Sequence, residues 1–162
     1  MAEVCDYIGI SPCNDYSDKV KDEWLYHCFH ILNKIGKIDK VKTHAFGMTS
    51  AALLKKYPWF SADSSSYAFT SAFGTVFTPY GKVVISSEQP DHQDHIDKKP
   101  IEIRQKLIDH IESYGFSYKL AQKNYKYRNI VNIDYYQELE NEINANPVVF
   151  KEDQATLFPI DY

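Results

Sequence analysis

The chain lacks a paired-cysteine motif, a long apolar run and an excess of basic residues. Its three cysteines, Cys5, Cys13 and Cys28, form no Cys-x-x-Cys pair, and an odd count favours reduced thiols over a disulfide framework. No apolar run approaches the roughly 20 residues of a membrane-spanning helix, and no basic leader precedes an apolar segment. These absences predict a cytoplasmic protein without a membrane partner.

The charge balance argues against a protein whose whole surface binds nucleic acid. The net charge is −4 at pH 7, whereas autonomous nucleic-acid binders have a basic surplus. A local basic patch is still compatible with an acidic total. Residues 118–128 form one, because tyrosines there alternate with Lys119, Lys123, Lys126 and Arg128. Such rings and cations suit stacked bases and phosphates, and the alternative is a solvated helix face.

The first part of the chain alternates between strand and helix patterns. At 162 residues, with 44% hydrophobic and 25% charged residues, the chain has the composition of a globular domain. Strands are predicted at 4–11, 40–47 and 59–63, with helices at 17–36 and 49–58. This alternation predicts an α/β fold with parallel strands and crossover helices. Functional groups collect at the carboxyl ends of such strands, which places Asp63 at the expected edge.

The second part of the chain no longer alternates between strand and helix patterns. Residues 74–86 predict a β-hairpin that turns at Pro79-Tyr80-Gly81, and 87–100 form a polar linker. Helices are predicted at 101–115 and 132–145, followed by an extended tail. The predicted organisation is therefore 1–86 as βα units with the hairpin, 87–100 as linker, and 101–162 as helical extension with tail.

The linker contains two histidines, His92 and His95, in the segment DHQDHID. Histidine and aspartate are usable metal ligands, but an exposed charged linker explains the same residues. We therefore predict neither a metal site nor a cofactor.

The segment around Asp63 resembles a known enzyme family. Asp63 is followed eleven residues later by Gly74-Thr75-Val76-Phe77-Thr78, and then by Gly81. This pattern resembles the end of the last barrel strand in the queuine/archaeosine tRNA-guanine transglycosylases. HAFG at 44–47, Gly9 in the first strand and NIDYYQELENEI at 132–143 are similar to further parts of that family. HAFGMTS and YPWFSADSSSY look closest to the phage and bacterial branch that inserts 7-deazaguanines into DNA.

The resemblance implies a partial barrel. It extends over nearly the whole chain but only over the C-terminal half of the family's TIM (β/α)8 barrel, and a complete barrel takes about 250 residues. The implied fold is a set of C-terminal βα units with a β-hairpin and a helical C-terminal extension. A partner chain that supplies the N-terminal half-barrel, or a homo-oligomer, would complete it. A bacterial or phage-infected cell is the implied setting.

The resemblance also implies a chemistry, that of a pentosyltransferase exchanging guanine or 7-deazaguanine in nucleic acid. Asp63 would be the nucleophile at C1′. The implied substrate-binding residues are Gly9, Phe46, Gly47, Ser64, Ser65 and Ser66. Phe69 stands where the tRNA enzymes have an arginine for the RNA backbone, so DNA is the favoured substrate. The family's zinc motif is missing here. The alternative is an inactive relative that serves as a binding or structural subunit.

One further residue, His44, lies inside a predicted strand. A hydrogen-bonded core histidine is the expectation for it, ahead of a catalytic role.

Overall fold

The structure, a computed structural model, describes residues 5–12 and 16–152 of a mixed α/β protein. It divides into two compact units. We call Met1–Ser64 together with Glu142–Tyr162 the sheet unit, and Ser65–Asn141 the hairpin unit. This division differs from the predicted boundaries at 86 and 100, because the hairpin packs with the helices that follow it.

The sheet unit has a β-α-β-α-β order in its first part. The elements are β1 (Tyr7–Ile10), α1 (Asp18–Lys34), β2 (Lys42–Ala45), α2 (Ala51–Lys56) and β3 (Ser61–Ala62). The strands lie in the order β1-β2-β3, and both pairings are parallel. The prediction of parallel strands with crossover helices is confirmed.

Helix α1 begins and ends as its sequence predicts. The Ser17 hydroxyl accepts from the Val20 N–H at 3.5 Å, and the helix stops before Gly36, whose φ of 67° is one that glycine tolerates. Its buried stripe includes Leu25 and Phe29. The Phe29 ring stacks on Tyr57 at 5.0 Å between centroids, so α1 is anchored to the chain segment that leads into β3.

A buried ion pair lies within this packing. Lys56 Nζ donates to both carboxylate oxygens of Asp22 at 2.9 Å, and both side chains are almost completely buried. The Tyr57 hydroxyl donates to Asp22 Oδ1 at 2.7 Å. Burial, together with the Asp22 carboxylate, raises the pKa of Tyr57. The Lys56 ammonium and the Tyr57 hydroxyl therefore stabilise the buried charge of Asp22.

The hairpin unit contains one antiparallel hairpin and mostly helices. Its elements are α3 (Ser66–Ala72), β4 (Thr75–Thr78), β5 (Gly81–Val84), a short 3-10 helix (Ile96–Lys98), α4 (Ile101–Glu112), α5 (Tyr118–Lys123) and α6 (Tyr125–Ala145), the last of which runs on into the sheet unit. Strand β4 pairs with β5, which confirms the predicted hairpin. Helix α3 was not predicted. Helix α5 lies in the segment for which a solvated helix face was the alternative, and α6 begins earlier than the predicted residue 132.

The amide of Asn132 organises the centre of the hairpin unit. Asn132 is fully buried. Its Oδ1 accepts from the Phe77 N–H at 2.7 Å, and its Nδ2 donates to Ser71 Oγ at 2.8 Å and to the Tyr67 carbonyl at 3.1 Å. One side chain of α6 therefore ties β4 to α3.

The segment 87–100 is more ordered than a linker. Ile96 is fully buried and His95 is 1% exposed. His95 Nδ1 accepts from the Asp97 N–H at 3.2 Å, and His92 Nδ1 accepts from the Asp94 N–H at 3.1 Å. The two histidines thus cap turns, and part of the predicted polar linker belongs to the core of the hairpin unit.

Within residues 5–12 and 16–152, no helix combines the length and the apolar character that crossing a bilayer requires.

Candidate active site

The carboxyl ends of the three parallel strands bring the predicted site residues together. Gly9 in β1 lies opposite His44 in β2, and His44 lies opposite Ser61 in β3. Directly opposed residues of neighbouring strands point to the same face of a sheet. The Asp63 N–H donates to the Ala45 carbonyl at 3.1 Å, which extends the pairing beyond β3. Asp63 is therefore positioned beside the end of β2.

The carboxylate of Asp63 is exposed but held in place. Its side chain is 60% exposed, and its Oδ1 accepts a hydrogen bond from the Gly47 N–H at 2.9 Å. Gly47 has a φ of 63°, in the left-handed region that favours glycine. This turn after β2 directs a backbone donor at the carboxylate, so the side chain is fixed without being removed from solvent.

His44 lies next to the same carboxylate. Its Nε2 is 3.6 Å from Asp63 Oδ2, and its Nδ1 is 2.8 Å from Ser61 Oγ. Ser61 Oγ lies 2.9 Å from the Tyr7 hydroxyl. His44 is hydrogen-bonded and its side chain is only 16% exposed, as expected of a core histidine. Its second nitrogen nevertheless faces Asp63, which the sequence did not reveal.

Phe46 covers Gly9. A Cβ atom on Gly9 would lie 2.1 Å from Phe46 Cε2, far inside van der Waals contact. The Phe46 ring meets the His44 ring edge-on at 4.5 Å between centroids, and Phe46 is still 48% exposed. The resemblance implied that a base approaches Gly9. In the structure the space next to Gly9 holds the Phe46 ring, so a base at Gly9 requires this ring to move.

The serines after Asp63 fall on both sides of the boundary between the units. Ser64 is the last residue of the first segment of the sheet unit, whereas Ser65 and Ser66 belong to the hairpin unit. Ser66 opens α3, and Ser65 precedes it without a side-chain capping bond. The structure thus gives Ser65 and Ser66 a local role at the start of a helix. The candidate site consists of the sheet-unit residues.

The predicted basic patch divides into exposed and buried members. Lys119, Lys123 and Lys126 are exposed. Arg128 is 5% exposed, and its Nε donates to the Ser71 carbonyl at 2.7 Å. Its Nη1 donates to the Ala121 carbonyl at 2.8 Å, and burial lowers the pKa of the guanidinium. The assignment of Arg128 to nucleic-acid binding is therefore corrected, because the side chain is buried and its Nε and Nη1 donate to carbonyls inside the hairpin unit.

No cluster suited to a metal ion is found in the part of the chain that the structure describes. No three His, Cys, Asp or Glu side chains come together there in a way that could hold one. His92 and His95 each use Nδ1 to cap a turn.

The candidate active site is therefore at the strand ends of the sheet unit, where Asp63, His44 and Gly47 meet. No protein-family model, curated protein or solved structure matches the chain.

Proposed function

We propose that the chain is a base-exchange transglycosylase that acts on nucleic acid, with DNA favoured over tRNA, and that Asp63 is its nucleophile. The observation that carries the proposal is the Asp63 carboxylate, exposed at the carboxyl end of β3 and fixed by the Gly47 N–H. This position supports the role that the resemblance implies for Asp63. Guanine and 7-deazaguanine are the proposed bases.

The reaction consists of two displacements at one carbon. An oxygen of Asp63 attacks C1′, the bond from C1′ to the base nitrogen breaks, and the base leaves with that electron pair and takes up a proton. The incoming base then attacks C1′, loses a proton, and releases the aspartate. Exposure of the carboxylate suits this role because the nucleotide must leave its stack to reach it.

A hydrolytic glycosidase is less well supported. Those enzymes place a second carboxyl group opposite the first as acid or base, whereas the titratable side chain beside Asp63 is His44. In base exchange the second displacement is made by the incoming base rather than by a water that a second carboxyl group activates, so one carboxylate nucleophile is sufficient for it.

The sheet itself supports an incomplete barrel. Among residues 5–12 and 16–152, no strand pairs with the outer edge of β1 or of β3, and open edges of this kind favour pairing with further strands. The face that carries His44 also carries Tyr7 and Phe46, each 48% exposed. In a closed barrel this face would point inward. We propose that a partner chain with the N-terminal βα units, or a second copy of this chain, completes a TIM barrel.

The test is transfer of tritiated guanine into a DNA duplex, measured with the full chain alone and after co-expression with the products of neighbouring genes. Asp63→Asn should reduce exchange roughly a millionfold, the scale on which loss of an enzyme nucleophile lowers kcat. Asp39→Asn, an exposed acid in the same unit, is the matched control and should exchange normally. Undiminished exchange by Asp63→Asn would overturn the proposal.

A second candidate, a catalytically inactive subunit that binds nucleic acid, is favoured by one observation. Lys119, Lys123 and Lys126 are exposed near Tyr125, which is itself 49% exposed. Replacement of the three lysines by Ala should weaken binding to a single-stranded oligonucleotide and reduce its salt slope by about 0.7 per lost phosphate contact. Ala at three other exposed lysines, Lys34, Lys40 and Lys106, is the control. Equal binding by both triple variants would exclude this surface.

A further inference from the structure

We infer that His44 is a positioning residue for Asp63, and that Ser61 and Tyr7 hold it in the tautomer that carries its proton on Nε2. The inference rests on the proposed function in one respect, namely that Asp63 is the group that attacks. It adds a chain of three side chains, each from a different strand region, that leads to the nucleophile.

The hydrogen-bond distances define this chain. Ser61 Oγ lies between the Tyr7 hydroxyl at 2.9 Å and His44 Nδ1 at 2.8 Å. A serine hydroxyl has one proton to donate and lone pairs to accept. When Tyr7 donates to Ser61 and Ser61 donates to Nδ1, the proton of a neutral imidazole must be on Nε2, which faces Asp63.

The opposite direction of donation is disfavoured. If Nδ1 donated to Ser61, the lone pair of a neutral Nε2 would face Asp63 Oδ2 at 3.6 Å. Two acceptors would then oppose each other, one of them an anion. The carboxylate therefore favours the arrangement in which Tyr7 donates to Ser61 and Ser61 donates to His44 Nδ1. Each of these hydrogen bonds polarises the next group in the chain and strengthens its bond.

As a consequence, each of the two oxygens of the Asp63 carboxylate lies next to an N–H group. Oδ1 is bound by the Gly47 N–H at 2.9 Å, and Oδ2 faces Nε2 of His44. The separation of 3.6 Å is too long for a hydrogen bond, but contacts of this kind commonly shorten when substrate closes a site. The Phe46 ring also packs edge-on against the imidazole and restricts its movement. The attacking oxygen of Asp63 is thus oriented in advance.

The first test needs no substrate. Long-range proton–nitrogen correlation spectra of the full chain distinguish the two tautomers of each of its six histidines, and His44→Gln identifies the signal of His44. We expect the Nε2–H tautomer in the wild type and a mixture in Ser61→Ala. A wild-type signal from the Nδ1–H tautomer would overturn the inference, whatever the activity of the chain.

The second test uses guanine exchange. His44→Leu removes the donor, whereas the side-chain amide of His44→Gln places an N–H at nearly the same reach. We expect kcat to fall roughly 10- to 100-fold in His44→Leu with KM within about twofold, and most of that loss to be restored in His44→Gln. A role in folding alone would not separate these two variants in kcat. Ser61→Ala should show a smaller loss.

The two variants distinguish failure of this inference from failure of the proposed function. If His44→Leu exchanges as fast as the wild type while Asp63→Asn does not, the inference fails and the proposed function stands. If Asp63→Asn is as active as the wild type, the proposed function fails, and the tautomer of His44 alone decides whether the chain from Tyr7 to His44 exists.

Discussion

The two units use polar side chains in different ways. In the hairpin unit, Asn132 and Arg128 are buried and bonded to backbone groups and to Ser71. In the sheet unit, Asp63 is held by a single backbone donor and remains 60% exposed. Polar groups whose bonds are all used internally stabilise a fold. A carboxylate held in place with an oxygen still reachable is available for chemistry.

Buried polar side chains occur in both units, so burial alone does not distinguish them. The sheet unit also buries a charged pair, Asp22 with Lys56. What distinguishes the strand-end residues is that they are ordered by the sheet and still reach solvent. Substitutions of buried polar groups should therefore destabilise the protein more than substitutions at the exposed strand ends.

Loss of the buried cation should cost most. Lys56→Met removes the buried ammonium that donates to both oxygens of Asp22 and should lower the free energy of unfolding by about 4 kcal/mol. The chain's two tryptophans, Trp24 and Trp59, both lie in the sheet unit. Urea unfolding followed by tryptophan fluorescence therefore measures the loss where it occurs.

Lys55, the neighbour of Lys56 in the sequence, provides the matched control. Lys55 pairs with Glu142 at 2.7 Å, and both side chains are well exposed. Lys55→Met should cost below about 1 kcal/mol, as surface ion pairs do. Equal losses in the two variants would show that Asp22 is not held as the structure indicates.

Loss of the Asn132 side-chain amide should have the second-largest effect on stability. Asn132→Ala leaves the Phe77 N–H and the Ser71 hydroxyl without their buried partner and should cost about 3 kcal/mol. Hydrogen exchange of the β4 and β5 amides measures it, since protection at Phe77 should fall first.

Asn129, on the same helix, is the comparison residue for this variant. Its side-chain oxygen is buried and has no hydrogen-bond partner among the residues that the structure describes. Asn129→Ala should therefore cost much less than Asn132→Ala. A similar loss of protection in both would indicate that side-chain volume, not hydrogen bonding, stabilises the hairpin.

Gly9→Ala tests the packing at the strand ends. The new methyl group would meet the Phe46 ring, while the backbone of Gly9 itself is not in the left-handed region. Because the half-exposed Phe46 ring can shift, the clash should cost about 1 kcal/mol, measured by tryptophan fluorescence in urea. In a Phe46→Ala background the same change should cost almost nothing, because the two residues are in contact. Additive costs would refute the placement of Phe46 over Gly9.

The fold of the sheet unit was largely predictable because its signals are local. Ser17 and Gly36 delimit α1, and alternating strand and helix patterns predict parallel pairing. The start of α6 was not predictable in the same way. Its buried positions include Arg128 and Asn132 as well as Val131 and Leu139. Two polar residues on the buried stripe interrupt the apolar periodicity on which a sequence-based prediction depends.

The candidate site was predictable in part. The juxtaposition of Asp63 with Gly47 follows from parallel strands whose ends meet at one edge. The contact between His44 and Asp63 does not follow from it, because the sequence alone does not reveal the strand register that places His44 opposite Ser61. The same limitation applies to Arg128: a cation in a tyrosine-rich segment predicts a surface, and only tertiary packing shows that its donors are used inside.

The smallest effect concerns the buried tyrosines of the hairpin unit. Burial, with the nearby Asp97 carboxylate, raises the pKa of Tyr118 to about 12, whereas an unfolded tyrosine ionises near pH 10. Because the folded state retains its proton longer, this contribution to stability is complete below about pH 10 and is lost as the pH rises through about 12. At about pH 11 Tyr118 alone should account for about 1 kcal/mol of the stability that the wild type has lost, and Tyr118→Phe should lose less by that amount. Tyr80→Phe, at a side chain 66% exposed, should follow the wild type. Urea midpoints at about pH 9 and about pH 11 measure the difference, and the same pH dependence in all three proteins would mean that Tyr118 ionises as freely as an exposed tyrosine.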